Sequence, residues 1–517
     1  MAASCMVCNT GPHAWQNTQN SRYATSYQNK LQDYQDEQLY GYNRSCKKIC
    51  LSPISWSSEG GAKFNNSSSV VHKLGILLES EDLSDLTLKV GHKTFQAHRL
   101  ILSCASDVFR VMLMNPRWPE AHKASIVLKE EPECIAVFQH FLRYLYTGVI
   151  SLHSRTVLPL LMLADKYNID DLGQLCVDFM CEHMVAAPAE MYVVSWLQYA
   201  QVCGHGKLEV ACSNFVLWNF ETVIQTSDFV LMDRNLLIHF LSSSELVISD
   251  EFTLYLGVCH WLAHLCTRTK KKSAMFHDVV LQVLAHIRFP MMSPVQLEQL
   301  NHHPLSADFQ AFLQQKIKLA SEYHSSSLEA RKSMAGVSGV CDEFRPRNYT
   351  CDTWSTVLSI ENFKTLPEHS VRPIIFATPV SGSKADENSQ WEWSADLYPK
   401  GVHFQGCVMI GLQRNYDIEE TIYENVRLAL QAKEDPNVKS SASSCRHVDI
   451  AVLAFAEEGN IEYVRNVKHK RFMFDGEWTV CNLNDVVPFN DLNSKVTSYL
   501  TGPEKSTFKI VIIIKPV

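Results

Sequence analysis

Residues 84–102 read Ser-Asp-Leu-Thr-Leu-Lys-Val-Gly-His-Lys-Thr-Phe-Gln-Ala-His-Arg-Leu-Ile-Leu, and this stretch sets the fold of the first domain. Residues 86–90 alternate between apolar and polar side chains, as expected for a strand with one buried face. Gly91 stands where a tight turn is required, and residues 94–97 resume the extended pattern. The stretch therefore predicts a β-hairpin. Its last residues begin a segment with helical spacing, which predicts a helix over residues 100–114.

The residues around the hairpin complete a mixed α/β domain over residues 70–184. Apolar residues recur at helical spacing over residues 71–78, which predicts an amphipathic helix before the hairpin. Residues 125–128 have the pattern of a further short strand. The same helical spacing predicts three more helices, over residues 133–146, 157–167 and 171–184. Strands and helices that alternate in this way indicate a single domain with one core.

The spacing of apolar residues divides the rest of the chain into four segments. Residues 1–69 are rich in Ser, Asn and Gln without a sustained period, which predicts a disordered polar leader. Helical spacing over residues 185–320 predicts an all-α array, and the Ser-, Gly- and charge-rich residues 321–347 predict a linker. The period then drops to two, which predicts a β-sandwich over residues 348–517. The alternation is clearest in residues 354–360, 407–412, 448–453 and 508–514.

The first domain resembles a BTB/POZ domain. The matching residues follow the family's order through both halves of the segment: Asp85, Val90, Gly91, Phe95, Ala97, His98, Arg99, Leu100, Ser106, Phe109, Phe141, Tyr144, Tyr146, Thr147, Gly148, Ala164, Asp165 and Tyr167. An ordered set of this length is specific. The resemblance implies the α/β fold of that family and a domain that homodimerises.

The two following regions resemble domains that accompany BTB/POZ domains. The helical array is similar to the BACK extension of many cullin adaptors at residues 212–215, 219–223 and 261–262. Residues 391–402 resemble the strand and turn of a TRAF/MATH-type sandwich, although residues 476–478 only approach that family's Trp-Gly-Phe. No repeat of 20 to 50 residues is present in the sequence, which argues against kelch blades. The implied order is BTB, BACK and a TRAF-like domain.

Asp85 and Arg99 occupy the positions where BTB domains place a charged pair near the dimer interface. A partly buried carboxylate and a guanidinium need each other, because either one alone bears an uncompensated desolvation cost. The alternative is a pair that serves only the fold. The resemblance implies a dimer interface that combines this pair with Leu74 and Leu77 of the first helix.

Trp118, Pro119 and Glu120 follow the predicted helix at residues 100–114. In this loop, BTB domains that bind cullin-3 carry a hydrophobic residue, any residue and then glutamate. A large apolar side chain supplies buried area, and the adjacent carboxylate fixes the register. The proline is unusual for the motif but would stiffen the loop. The alternative is an apolar-x-Glu tripeptide that arises by chance.

Composition excludes several classes of protein. The net charge of -8 and the pI of about 6.2 leave no global basic field that would attract nucleic acid. Hydrophobic residues make up 46% of the chain, enough for several cores. Apolar runs such as residues 511–514 are nevertheless far shorter than the roughly 20 residues that a membrane-spanning helix needs. We expect several globular domains, no membrane span and no nucleic-acid partner.

The first residues and the cysteines favour a cytoplasmic protein. Met-Ala-Ala-Ser-Cys-Met-Val-Cys lacks the basic flank and the long apolar core of a secretory signal. The 17 cysteines are odd in number and scattered, which favours reduced thiols. A secreted protein is the alternative, because four asparagines stand in glycosylation acceptor tripeptides: Asn43, Asn65, Asn66 and Asn348.

Candidate catalytic and metal-binding patterns are weak. His260 and His264 lie one helical turn apart, but Trp261 stands where a zinc protease carries glutamate, so a packed helix is favoured. Residues 203–207 lack the first glycine and the Ser or Thr of a phosphate-binding loop and are interpreted as a helix break. Two accidental pairs are favoured over a zinc site for Cys5, Cys8, Cys46 and Cys50. We predict no metal, no cofactor and no enzymatic activity.

The sequence therefore predicts a multidomain α+β protein with a BTB/POZ α/β domain, an all-α BACK helical array and a C-terminal antiparallel TRAF/MATH-like β-sandwich. The resemblance implies a non-catalytic adaptor that homodimerises through its BTB domain. In such an adaptor, the C-terminal domain binds an unknown protein client, and the BTB domain brings it to a cullin-3 ubiquitin ligase. The alternative is a dimeric scaffold without cullin binding, either cytoplasmic or secreted.

Overall fold

The computed structural model describes most of the chain beyond residue 64. The described residues are 65–185, 191–268, 274–300, 309–336, 341–351, 353–381, 383, 390–408, 417–433, 444–456, 459–474, 480–502 and 504–516. Most of the predicted leader and its four cysteines therefore lie outside the described residues. The chain forms two compact units, one that ends at Cys212 and one that begins at Ser213.

The first unit contains a three-stranded sheet in the order β2-β1-β3. Its strands are β1 (Leu86–Val90), β2 (Lys93–Ala97) and β3 (Ser125–Leu128). Strand β1 is antiparallel to β2 and parallel to β3, and its burial alternates as the sequence predicts. Gly91 joins β1 to β2 with a φ of +59°, and a Cβ there would come within 2.5 Å of Ile135. The predicted hairpin is confirmed, and its turn requires glycine both for φ and for space.

Helices precede and follow these strands along the chain. They are α1 (Ser67–Ser80), α2 (Arg99–Ala105), α3 (Asp107–Met114), α4 (Pro132–Thr147), α5 (Val157–Tyr167), α6 (Asp170–Glu182) and α7 (Val193–Cys203). The single helix predicted over residues 100–114 is wrong, because Ser106 adopts an extended conformation between α2 and α3. The Ser106 hydroxyl accepts a hydrogen bond from the Phe109 N–H at 3.0 Å. This N-cap begins a new helix where apolar spacing alone suggested a continuous one.

The predicted helical array is confirmed. It continues through α8 (Gly206–Trp218), α9 (Phe220–Val223), α10 (Arg234–Ser242), α11 (Glu251–Arg268), α12 (Ala274–Leu284) and α13 (Pro294–Leu300). A short strand, β4 (Val247–Ile248), interrupts it and pairs in parallel with β5 (Asn348–Tyr349). This pairing joins the array to the first residues of the β-rich region within the second unit.

Residues 321–347, predicted to be a linker, are largely helical. Helix α14 (Gln310–Ser325) extends into this segment, and α15 (Leu328–Gly336) and a 3₁₀ turn at Cys341–Phe344 follow. Serines of α14 donate their hydroxyls back to the helix, as Ser321 does to the Ile317 carbonyl at 2.8 Å. Arg331 and Phe344 are buried. The Ser-rich composition indicated flexibility, whereas buried anchors and backbone-bonded hydroxyls hold the segment in a packed structure.

The C-terminal region is an antiparallel β-sandwich, as predicted. One sheet has the order β14-β11-β8-β7, and the other has the order β13-β12-β16-β15 with β6 also paired to β16. The strands are β6 (Ser355–Ile360), β7 (Arg372–Pro379), β8 (Gln390–Tyr398), β11 (Arg427–Ala432), β12 (Ser444–Phe455), β13 (Ile461–Phe474), β14 (Val480–Leu483), β15 (Leu500–Thr501) and β16 (Thr507–Pro516), together with a separate hairpin of β9 (Val402–Val408) and β10 (Asp417–Tyr423). Trp393 and Phe472 meet edge to face in the core at 5.2 Å.

Candidate functional site

Helix α1 carries apolar side chains on its exposed side as well as on its packed side. Leu74 and Leu77 are half-buried, whereas Ile76 remains 47% exposed. The turn after α1 lies against the start of α2, because the Asp82 carbonyl is 2.7 Å from the His98 ring. Exposed apolar residues flank this contact and include Leu83, which is 87% exposed, and Leu100. An exposed apolar set of this kind is typical of a surface that another protein covers.

Asp85 and Arg99 do not form the predicted ion pair. Asp85 is exposed, and its carboxylate accepts a hydrogen bond at 2.8 Å from the backbone N–H of Arg99, at the first turn of α2. The Arg99 guanidinium donates to the carbonyls of Leu113, Ala121 and Lys123. The two side chains do not pair because each has a closer backbone partner: a helix N-terminus for the carboxylate and loop carbonyls for the cation. The place of both residues at a dimer interface stays a prediction.

Trp118, Pro119 and Glu120 form the entry to a 3₁₀ turn, Pro119–His122, just after α3. Trp118 and Glu120 are half-buried, whereas Pro119 is exposed. Glu120 lies 3.8 Å from Lys123, a loose ion pair that contributes little at an exposed site. We call this segment, Trp118–Glu120, the docking turn. It presents an aromatic ring and a carboxylate on a local fold with a proline-fixed backbone.

The second unit contains a buried ion pair that sequence reasoning missed. The Arg347 side chain is fully buried, and its Nε donates to Glu251 Oε2 at 3.0 Å. Tyr349 donates its hydroxyl to the same carboxylate at 2.5 Å, and the Arg288 backbone N–H donates to it at 2.7 Å. Burial alone would raise the pKa of Glu251, but the nearby guanidinium groups of Arg347 and Arg288 hold it below its ordinary value.

Arg347 and Glu251 connect the helical array to the β-rich region. Glu251 begins α11, and Arg347 immediately precedes β5. The Arg347 guanidinium also donates to the carbonyls of Ser243 and His286, both in the array. Asn219 adds a second connection by donating to the Ile461 carbonyl and accepting from its N–H. The structure thus holds the sandwich on the array by buried polar contacts.

A polar cavity of about 380 Å³ opens beside this junction. Side chains from both regions contribute to its wall, including Glu245, Asp342, Arg345, Lys468 and Lys515. Burial lowers the pKa of the Lys515 ammonium group to about 8. Lys515 donates to the Asn348 side-chain oxygen at 2.8 Å. Asn348 is itself fully buried, so this acceptor tripeptide cannot carry a glycan in the folded chain, in contrast to the sequence expectation.

Residues 203–207 break a helix, as the sequence predicts. Helix α7 ends at Cys203, and Gly204 follows with a φ of +80°. The next residue, His205, lies 2.8 Å from Asp165 of α5, which also accepts a hydrogen bond from Tyr199 at 2.7 Å. Sequence reasoning missed this cluster, although Asp165 belongs to the segment that resembles the BTB family. The hydrogen bond with Asp165 raises the pKa of His205.

The histidine pair and two buried cysteines do not form a metal site or a reactive thiol within the ranges that the structure describes. His260 and His264 lie within α11, and the described residues contain no group of three or more His, Cys, Asp or Glu suited to a metal ion. Burial raises the pKa of the Cys176 and Cys259 thiols to about 12. These two groups are therefore protonated at neutral pH and are poor nucleophiles. In the part of the chain that the structure describes, no helix is long and apolar enough to span a membrane.

Family models match three consecutive parts of the chain. They are the BTB/POZ domain over residues 74–184, the BTB And C-terminal Kelch (BACK) domain over residues 193–302 and the BTBD17 TRAF domain over residues 344–517. BTB and BACK domains are protein-interaction modules, so these matches indicate a protein-interaction role. The order of domains implied by the sequence resemblance is confirmed.

Curated relatives extend this similarity across the domains. BTB/POZ domain-containing protein 17 of Xenopus laevis is 30% identical over 66% of this chain and 70% of the relative. The Homo sapiens protein of that name is 31% identical over 66% of this chain and 68% of the relative. Galectin-3-binding protein of Mus musculus is 27% identical over 63% of this chain and 55% of the relative. The chain belongs to the BTB/POZ domain-containing protein 17 family.

Proposed function

We propose that this protein is a non-catalytic adaptor that homodimerises through its BTB domain and recruits a client protein to a cullin-3 ubiquitin ligase. The observation that carries the proposal is the docking turn, Trp118–Glu120, which follows α3 within a BTB domain and carries a ring, a proline and a carboxylate. The ring would supply buried area at the cullin surface, and the Glu120 carboxylate would fix the orientation. The C-terminal sandwich would bind the client.

The apolar surface of α1 supports the dimer part of the proposal. Leu74 and Leu77 are half-buried, and Ile76, Leu83 and Leu100 are exposed on or beside this helix. A second copy of the chain would cover these side chains and remove their apolar area from water. Two client sites per dimer would then raise the avidity for a multivalent client by effective concentration.

Charge reversal at the docking turn tests the cullin part. Glu120→Lys should abolish the co-purification of cullin-3 with the tagged full chain, because it replaces the orienting carboxylate by a cation. The loss corresponds to about 2 kcal/mol or more of binding free energy. The measurement is a pull-down from cell extract with immunodetection of cullin-3, and sedimentation should show an unchanged dimer.

Glu182→Lys is the matched control, because Glu182 is an exposed glutamate of the same domain in the last turn of α6. This variant should retain cullin-3. Equal retention of cullin-3 by wild type and by Glu120→Lys would refute the assignment of the docking turn.

A charge on the exposed side of α1 tests the dimer. Ile76→Asp should weaken the dimer by about tenfold or more, because it would place an unpaired carboxylate in an apolar interface. Leu175→Asp is the control, since Leu175 is likewise 47% exposed but lies on α6. Sedimentation equilibrium of the three proteins gives the dissociation constants. The same constant for both variants would contradict an interface at α1.

The alternative function is a dimeric scaffold without cullin binding, either cytoplasmic or secreted. The similarity to galectin-3-binding protein favours it, because that relative, by its name, binds galectin-3. Tagged protein in the culture medium, glycan on the exposed Asn65 or Asn66, and no cullin-3 with wild type would together support this alternative. Asn348 is too deeply buried to serve as the reporter.

A further inference from the structure

Arg99 lies behind the docking turn, and we infer that its guanidinium is a positioning group that holds this turn in the conformation presented to a partner. The inference deepens the proposed function and rests on it for the identity of the partner. It assigns to Arg99 a role distinct from that of a charged member of the dimer interface.

The guanidinium contacts residues on both sides of the docking turn in the sequence. Its Nη1 donates to the carbonyl of Leu113, at the end of α3, at 3.2 Å. The same nitrogen donates to the Ala121 carbonyl at 3.3 Å, and Nη2 donates to the Lys123 carbonyl. Leu113 precedes the docking turn, and the other two residues follow Glu120. One planar cation therefore ties together the two ends of the loop that carries Trp118 and Glu120.

Other contacts lie within this loop, and one of them spans the docking turn, because the His122 ring lies 3.0 Å from the Pro116 carbonyl. The Trp118 N–H donates to the Asn115 carbonyl, and the Ala121 N–H donates to the Trp118 carbonyl. The backbone bonds define individual turns, and the His122 contact joins two residues within the loop. The three charge-assisted bonds of Arg99 connect the loop to α2 and to the end of α3, and they also satisfy a carbonyl in the last turn of α3 that has no partner within that helix.

The backbone of Arg99 is fixed separately from its side chain. The Asp85 carboxylate accepts a hydrogen bond from the Arg99 N–H and so anchors the first turn of α2. The side chain is thereby left to reach the docking turn. Arginine suits this task better than lysine, because its fork of donors can reach carbonyls at different positions at once.

An ordered loop binds more tightly than a mobile one of the same composition, since its ordering cost is already met before association. Loss of the three bonds should therefore weaken cullin-3 binding by about tenfold without removing any side chain of the docking turn. Arg99→Lys should retain part of the affinity, because it keeps the positive charge but loses the fork.

The test compares the full-length wild type with Arg99→Ala and Arg99→Lys, with the N-terminal domain of cullin-3 as the probe. Arg110→Ala is the control, because Arg110 lies on α3 and forms an exposed ion pair with Asp107. Hydrogen exchange of the amides of residues 115–123 reports the order of the loop. Biolayer interferometry gives the affinity, and sedimentation gives the dimer constant.

The expected result for Arg99→Ala is faster exchange confined to residues 115–123, about tenfold weaker cullin-3 binding and an unchanged dimer. Unchanged exchange and affinity in Arg99→Ala would overturn the inference, and so would a dimer weakened in parallel with cullin-3 binding. Failure of the proposed function looks different. In that case the wild type itself would not bind cullin-3, while faster exchange of the loop in Arg99→Ala would still establish the positioning role.

Discussion

Arg99 in the BTB domain and Arg347 in the second unit both bind several backbone carbonyls, but they differ in burial and in counter-ion. Arg347 is fully buried and meets the Glu251 carboxylate at 3.0 Å. Arg99 is half-buried, and its guanidinium donates to three carbonyls, while the carboxylate expected to pair with it caps a helix. A charge needs an opposite charge when water is excluded, whereas carbonyl dipoles suffice where water reaches part of the group.

This difference separates two uses of the same side chain. The Arg347 network joins two packed regions, and the side chains of Arg347 and Glu251 are both fully buried. Arg99 fixes a loop whose other side remains accessible, because Pro119 is exposed and Trp118 is half-buried. Substitution of Arg347 should therefore act on stability, and substitution of Arg99 should act mainly on binding.

The largest expected effect is on stability, from Arg347→Ala. The change leaves the Glu251 carboxylate buried without the guanidinium that pairs with it directly, which should lower the free energy of unfolding by about 3 to 5 kcal/mol. Urea unfolding of the full chain provides the measurement. Arg345→Ala is the control, since Arg345 is half-buried two residues away and keeps the carbonyl that Arg288 binds. An equal loss of unfolding free energy in the control would show that the ion pair does not contribute more to stability than a neighbouring arginine.

Double-mutant cycles at the two arginines sharpen the contrast. Glu251→Gln and Arg347→Met should be strongly non-additive, with a coupling of about 2 kcal/mol or more, because each single change strands a buried group. Asp85→Ala should cost about 1 kcal/mol through the lost helix cap. Its coupling to Arg99→Ala should stay below about 0.5 kcal/mol, because the two side chains do not contact each other. A larger coupling between Asp85→Ala and Arg99→Ala would show that the two side chains do form the charged pair expected from the sequence.

Local patterns explain what the sequence could predict. The hairpin at residues 84–97, the helices of the array and the strands of the sandwich each follow from the spacing of apolar residues within one short segment. Apolar spacing alone could not predict the boundary at Ser106, because a single capping hydroxyl divides an apolar run that would suit one helix. Composition alone could not predict the structure of residues 321–347, since a Ser-rich segment can be either a linker or a helix with buried anchors.

Long-range polar contacts explain most of what the sequence could not predict about the candidate site. Glu251 and Arg347 are 96 positions apart, and neither segment carries a pattern that points to the other. The partners of Arg99 are backbone carbonyls, which no side-chain motif reveals. Resemblance supplied the docking turn and the positions of Asp85 and Arg99. It could not supply the direction in which the guanidinium points, because that depends on the three-dimensional path of the loop.

The smallest expected effect concerns a charged contact of intermediate burial, between Asp165 and His205. The hydrogen bond that the His205 ring donates to the Asp165 carboxylate raises the pKa of His205 in the folded chain above its unfolded value, so the folded state binds its proton more tightly. The stabilisation is fully present below the unfolded pKa and is lost as the pH rises through the folded one. The stability difference between wild type and His205→Gln should therefore be larger at pH 5.5 than at pH 8.5, as measured by urea unfolding at both. His140→Gln, at an exposed position on α4, is the control for the replacement of a histidine by glutamine. A difference that grows with pH would mean that the neutral imidazole is the stabilising form, and the contact would then be a hydrogen bond to the carboxylate rather than an ion pair.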